Sequence, residues 1–187
     1  MDENGTDLQK KYAKAAPLVK AMLNYGTVTQ NYFGVNTDKP ANADLSDDDK
    51  VIADVTAADI NKPYDDTNTV LPDDVTFDNV TLSLKSETTL SLYFTSDKDL
   101  TFSCGDNTVD VEHNDKTWIA RIRGVKSDEI GDDFTLTVSD GTTNGSFTYS
   151  PMTYCYNVIS RGINDAKLKN VVKSLYLYWT AAKAFFI

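Results

Sequence analysis

The sequence predicts an α+β fold: an antiparallel, immunoglobulin-like β-sandwich of about seven strands, flanked by an N-terminal helix and two C-terminal helices. Three observations predict it. Apolar residues recur every three or four positions at both ends of the chain, the period of a helix. Through the middle they recur every second position, the period of a strand with one dry face and one wet face, which is antiparallel architecture. Between the alternating runs stand Gly105-Asp106-Asn107, His113-Asn114-Asp115, Asp140-Gly141 and Asn144-Gly145, residues that supply the backbone angles of tight turns. At 187 residues the chain is long enough to bury the core of a single domain, 1–187, without a disulfide framework.

The first element is a helix over residues 7–34. Leu18, Val19, Met22, Tyr25, Thr29, Tyr32 and Phe33 form its stripe, Pro17 starts or kinks its main part, and Gly34 ends it. Residues 35–74 read as a long acidic connection, interrupted by Pro40, Pro63 and Pro72 and by one short helical turn near Thr56 to Ile60. A connection of this length must be pinned by its own side chains, and Val51, Ile52, Val55 and Ile60 are the expected pins. The sandwich occupies residues 75–150. Its alternation is read in Val80, Leu82 and Leu84, then Leu90, Leu92 and Phe94, and again in Leu100, Phe102 and Cys104. It continues through Val109 and Val111, Trp118, Ala120 and Ile122, and Phe134, Leu136 and Val138.

Two helices fill residues 151–187. Ser150 caps the first, with Pro151 at its opening position and Met152 to Ser160 following. Asn164 or Asp165 caps the second, whose stripe is Leu168, Val171, Val172, Leu175, Tyr178, Trp179, Ala182, Phe185 and Phe186. The first and last helices also resemble each other. At an offset of 153, Lys20 falls on Lys173, Tyr25 on Tyr178 and Phe33 on Phe186.

Composition excludes several functions. The formal net charge of -10 disfavours nucleic acid and anionic lipid, both of which are bound by excess Lys and Arg. The acidity is concentrated: from Thr37 to Asp74 there are eleven Asp and three Lys. No stretch approaches the roughly 18 apolar residues of a membrane span, so no membrane insertion is expected. The opening residues, Met1 to Lys11, are polar and carry no apolar signal-peptide core, as in a module taken from within a longer secreted protein. Cys104 and Cys155 either pair in an oxidising compartment or stand as buried thiols, and two cysteines give no spacing that decides between these.

Catalytic chemistry is sparse, and no enzyme is expected. The single histidine, His113, sits in a polar turn, and the chain has no nucleophile elbow, phosphate-cradling glycine loop or zinc-spaced Cys and His. Paired carboxylates such as Asp73-Asp74 and Asp132-Asp133 are adjacent in turns, where solvated acids lie, so a glycosidase-like enzyme ranks last. No cofactor is expected, with calcium the one ion the acids suggest. Asp47, Asp48 and Asp49, or Asp65 and Asp66 with Asn68, supply hard oxygen ligands, although neither run has EF-hand spacing. Exposed rings that stack on sugar are the other candidate chemistry. Tyr93 and Ile119 point away from the buried face, and Tyr64 lies in the connection.

The ordered motifs resemble a known module. MLNYGTVTQNYF, PANADLSDDDKVIADVTAADI, VTLSLKSETTLSLYF, YSPMTYCYNVI and LKNVVKSLYLYWTAAKAFF are similar, in this succession from about Pro17 onward, to a module near the C-terminus of secreted or cell-surface proteins of gut Firmicutes. There it often follows leucine-rich repeats or immunoglobulin-like domains. The resemblance implies an extracellular or cell-surface location as part of a longer polypeptide, with an accessory role as spacer, stabiliser or adhesion surface. The implied partners are other domains of the same polypeptide. It carries no catalytic residues, and Cys104 and Cys155 lie outside its pattern. The competing expectation, taken from the residues themselves, is a module that binds glycan or a host surface protein.

Overall fold

The computed structural model describes residues 7–84 and 87–187. The described residues up to Asn61, together with Val158–Ile187, make one compact unit, and Lys62–Asn157 make a second.

The first unit is helical. α1 (Asp7–Phe33) is followed by α2 (Asp47–Lys50) and α3 (Ala57–Ile60), and α5 (Ala166–Phe186) closes the chain. Tyr25 stacks on Tyr178, with ring centroids 5.6 Å apart, and Lys14 lies over Phe185, so α1 and α5 run antiparallel. The offset of 153 between the two helices therefore describes partners in one pair, with the matched tyrosines in contact. Asp165 caps α5 by accepting from Leu168 N, and Gly34 leaves α1 at a φ of 68°. Thr56 and Asp59 form a reciprocal capping box at α3. α2 was not expected, although Ser46 with Asp49 three residues on is a capping signature, and the Ser46 side chain does accept from Asp49 N.

Two expectations in this unit need correction. Val55 and Ile60 are buried pins and Ile52 is half-buried, whereas Val51 is 69% exposed. On α1 the buried positions are Asn24 and Val28, while Val19, Met22 and Phe33 of the expected stripe are exposed. A stripe read at three- and four-residue spacing is wider than the line of contact a partner helix makes. At the end of α5, Phe186 is likewise exposed.

The second unit carries seven strands among the described residues. They are β1 (Thr76–Leu84), β2 (Thr88–Thr95), β3 (Thr101–Ser103), β4 (Val109–Asn114), β5 (Thr117–Ile122), β6 (Phe134–Ser139) and β7 (Asn144–Tyr149). Two antiparallel sheets result, in the orders β1-β2-β5-β4 and β3-β6-β7. The fold is thus α+β. Alternation puts Leu90, Leu92, Phe94, Ala120 and Ile122 on the dry face of the first sheet, and Leu136, Val138 and Phe147 on that of the second, all fully buried. Rings join the two faces in the manner of a β-sandwich. Phe77 lies 4.3 Å from Phe147, and Phe94 lies 5.4 Å from Phe147 and 5.3 Å from Phe102.

β1 starts four residues before the alternation becomes legible. The register shifts between Phe77 and Asn79, so Phe77 and Val80 lie three residues apart, opposite Phe94 and Leu92. A bulge of this kind interrupts the two-residue period on which the sequence reading depends. His113, expected in a turn, is instead in β4, opposite Trp118, and its ring stacks on the indole at 3.8 Å. After β7, α4 (Pro151–Ser160) begins at the expected proline, with Ser150 Oγ accepting from Met152 N and donating to Ile130 O.

One turn gives a direct test. Asp140 Oδ1 accepts from the amides of Thr142 and Thr143 at 2.9 and 2.8 Å, and its Oδ2 accepts from Lys98 Nζ at 2.9 Å. The Thr143 amide first, then Lys98 and the Thr142 amide, hold this carboxyl well below the usual carboxylate range. A depressed folded pKa adds stability that is complete above the unfolded value near ~3.9 and is lost as pH falls through the folded one. Asp140→Asn should therefore lower Tm at neutral pH and flatten the acid side of a plot of Tm against pH. Superimposable curves for variant and parent would contradict this role.

Candidate functional site

Sheet register decides which side chains leave the interior. Tyr93 on β2 pairs with Ile119 on β5, and both lie on the face opposite Leu92, Phe94, Trp118 and Ala120. Both are half-buried. Thr81 Oγ1 lies 3.4 Å from the Tyr93 hydroxyl. Glu112 stands opposite Ile119 and pairs with Arg121 at 2.6 Å. Arg123 pairs with Asp110 and, at 3.3 Å, with Glu87. Thr95 donates to Asp78 at 2.6 Å. The result is one ring and one aliphatic side chain framed by hydroxyls and ion pairs. A tyrosine face offers apolar stacking area with a polar tip, which suits a flat, hydroxyl-rich surface. The ion pairs are partly exposed, so each contributes only about 0–1 kcal/mol and they serve mainly to keep the face polar.

Tyr64, the third expected ligand residue, is elsewhere. Its ring lies 5.7 to 6.3 Å from those of Tyr149, Phe147 and Phe77, and its hydroxyl meets Thr69 at 3.0 Å. It is half-buried against these interior rings, and the segment that carries it reaches β7, where Val70 bridges to Ser146.

Of the five acids proposed for calcium, Asp47, Asp49 and Asp65 have local side-chain partners. Asp47 pairs with Lys50, and Asp49 takes Lys20 at 2.8 Å and the Ser46 hydroxyl at 2.8 Å. Lys20 first, then Ser46, pull the Asp49 carboxyl below its ordinary value. Asp48 lies exposed between them on α2. Asp65 accepts from the hydroxyl and amide of Thr67, which lower its pKa, and from Asn68, while the Asp66 carbonyl receives Thr69 N. Among the described residues, no group of three or more His, Cys, Asp or Glu side chains is arranged to hold a metal ion. Of the paired acids, Asp133 is bound by Lys62 at 2.9 Å.

Cys104 and Cys155 are free and buried. Burial raises both thiols, and that of Cys155 is pushed up to about 12. Burial thus disfavours the thiolate, which is the reactive form, and keeps both sulfurs from solvent. Folded protein should consume almost no Ellman's reagent over minutes, and denatured protein should consume two equivalents. Rapid modification of the folded chain would contradict this burial.

The sequence reading found Tyr93 and Ile119 but missed their frame. Arg121 on β5 and Arg123 just beyond its end follow Ile119 at two-residue steps and were legible as its neighbours. Thr81 and Glu112 come from other strands, and only the register brings them in. Among the described residues, no helix is long and apolar enough to cross a membrane. The chain matches no protein-family model, no curated protein and no solved structure.

Proposed function

We propose that this chain is a non-catalytic, extracellular accessory module of a larger bacterial surface protein, acting as spacer, stabiliser or adhesion surface. The observation that carries the reading is the strand order. Lettered A to G along the chain, the strands run A-B-E-D in one sheet and C-F-G in the other, the order of constant-type immunoglobulin sandwiches, which are widely used as cell-surface modules. On that order we read the sandwich as immunoglobulin-like, and we read its role by analogy with the fold. The motif succession from Pro17 onward supports the same location and role. The test is turnover: incubated with polysaccharide, peptide and ester panels, purified chain should match a buffer control. Turnover that a single Asp or Glu substitution abolishes would overturn the reading.

A second reading, contact with glycan or a host surface protein, is favoured by the pairing of Tyr93 with Ile119 on the outer face. On a glycan array, Tyr93→Ala should lower any parental signal at least about tenfold, the size expected when a stacking ring worth ~1.5 kcal/mol is removed. Equal signals from parent and variant would remove Tyr93 from that role.

A further inference from the structure

We infer that the cleft between α1, α5 and residues 51–53 is a binding site for a small neutral amphiphile, an aliphatic chain bearing one hydroxyl or carbonyl group. The cleft encloses about 310 Å³, at the small end of the range that ligand pockets occupy and equal to about ten water molecules of liquid volume. Its walls are small and aliphatic: Pro17 and Ala21 from α1, Leu177 and Ala181 from α5, and Ile52 and Ala53 from the crossing segment. Lys20 and Asn24 also line it, and the remaining polar residue is Ser174. It lines the cleft, is 2% exposed, and its Oγ is buried without a hydrogen-bond partner. Nearly all buried hydroxyls in folded proteins are satisfied, and one that is not calls for a partner.

The other polar groups of the cleft are already engaged, which sets the charge of the ligand. Lys20 is held by Asp49 at 2.8 Å, and Asn24 donates to the Asp49 carbonyl and accepts from Asn42. Lys20 is thus already paired, Asn24 carries no charge, and a ligand carboxylate would find no unpaired cation among these lining groups. A neutral group with one donor or acceptor fits Ser174 instead.

The roof is anchored at both ends. Lys20 on α1 binds Asp49, and Lys173, its counterpart at the offset of 153, binds Asp54 from α5. The resemblance between the helices thus has a physical use: two equivalent lysines hold the segment between Asp49 and Asp54 across an antiparallel pair, so that Ile52 and Ala53 lie over the cleft.

The probe is 1-hexanol, titrated into the intact chain and followed by methyl and amide NMR. The expected result is saturable shifts at Ala21, Ile52, Ser174 and Ala181, with hexanoate binding at least about tenfold more weakly. Ser174→Ala should weaken 1-hexanol roughly five- to tenfold, the loss of one hydrogen bond. Ala181→Leu should fill the cleft and abolish the shifts, and Ala53→Leu serves the same purpose from the roof if the helix variant does not fold. Absence of saturable shifts up to the solubility of 1-hexanol would overturn the proposal. Undiminished binding by Ser174→Ala, or equal binding of hexanoate, would also overturn it.

Discussion

Replacing Phe147 by Ala is expected to cost roughly 3–5 kcal/mol of folding free energy. Phe147 is fully buried, and its ring lies 4.3 Å from Phe77, 5.4 Å from Phe94, 6.0 Å from Tyr64 and 6.2 Å from Tyr149. It is therefore where the two sheets and the returning segment at Tyr64 meet. Removing the ring withdraws its buried area and leaves a hole that four neighbouring rings cannot close without leaving their own contacts. Denaturant unfolding followed by near-ultraviolet circular dichroism measures the cost. Phe186→Ala is the matched control: its side chain is 60% exposed, and its change should stay within about 0.5 kcal/mol. Similar losses for the two variants would mean that the interior described here is not the one that holds the fold.

A second large effect is expected at Gly145, where space rather than burial is decisive. A Cβ there would lie 2.3 Å from the Val70 carbonyl oxygen, 2.7 Å from Pro72 Cδ and 3.0 Å from Leu71 Cα. Two of these three atoms are backbone, and cannot swing aside as the end of a side chain can. Val70 and Ser146 exchange two backbone hydrogen bonds at 2.8 and 2.6 Å beside this glycine, covering the free edge of β7. Gly145→Ala is expected to cost about 1–3 kcal/mol and to speed amide exchange at Val70 and Ser146 before it disturbs β6. A stable variant with both amides still protected would show that residues 70–72 do not hold this edge.

Both effects arise where the sequence was only partly legible. The alternation of Leu90, Leu92 and Phe94, and of Phe134, Leu136 and Val138, identified strands and dry faces because side chains on a strand alternate sides. Cap chemistry placed α4 at Pro151 and α5 after Asn164 or Asp165, of which Asp165 is the cap. Both are local signals. The bulge at Phe77 and Asn79 broke the alternation and hid the start of β1, and with it the ring nearest Phe147.

Non-local pairing accounts for the other differences. Gly145 looked like half of an Asn-Gly turn, whereas it is the second residue of β7, the strand that residues 70–72 approach. Tyr64 read as a loop aromatic because no local pattern shows that the acidic connection returns along β7. His113 was read through its polar neighbours, although it extends β4 by packing on Trp118 across the sheet. Val51 and Ile52 both border the cleft beside the helices, yet Val51 stays 69% exposed, and two adjacent apolar residues in an extended segment do not reveal which is the better covered. For the same reason Tyr93 and Ile119 were each legible as outward-facing, but not as neighbours.

Labelling intact native cells with a membrane-impermeant amine reagent checks the proposal that this chain is a surface module of a longer protein. Lys116 and Lys126, both largely exposed, are the reporters. The expected result is modified peptides containing these lysines, recovered without lysis from a polypeptide longer than 187 residues. Labelling that appears only after lysis, on a free chain of this length, would contradict the account.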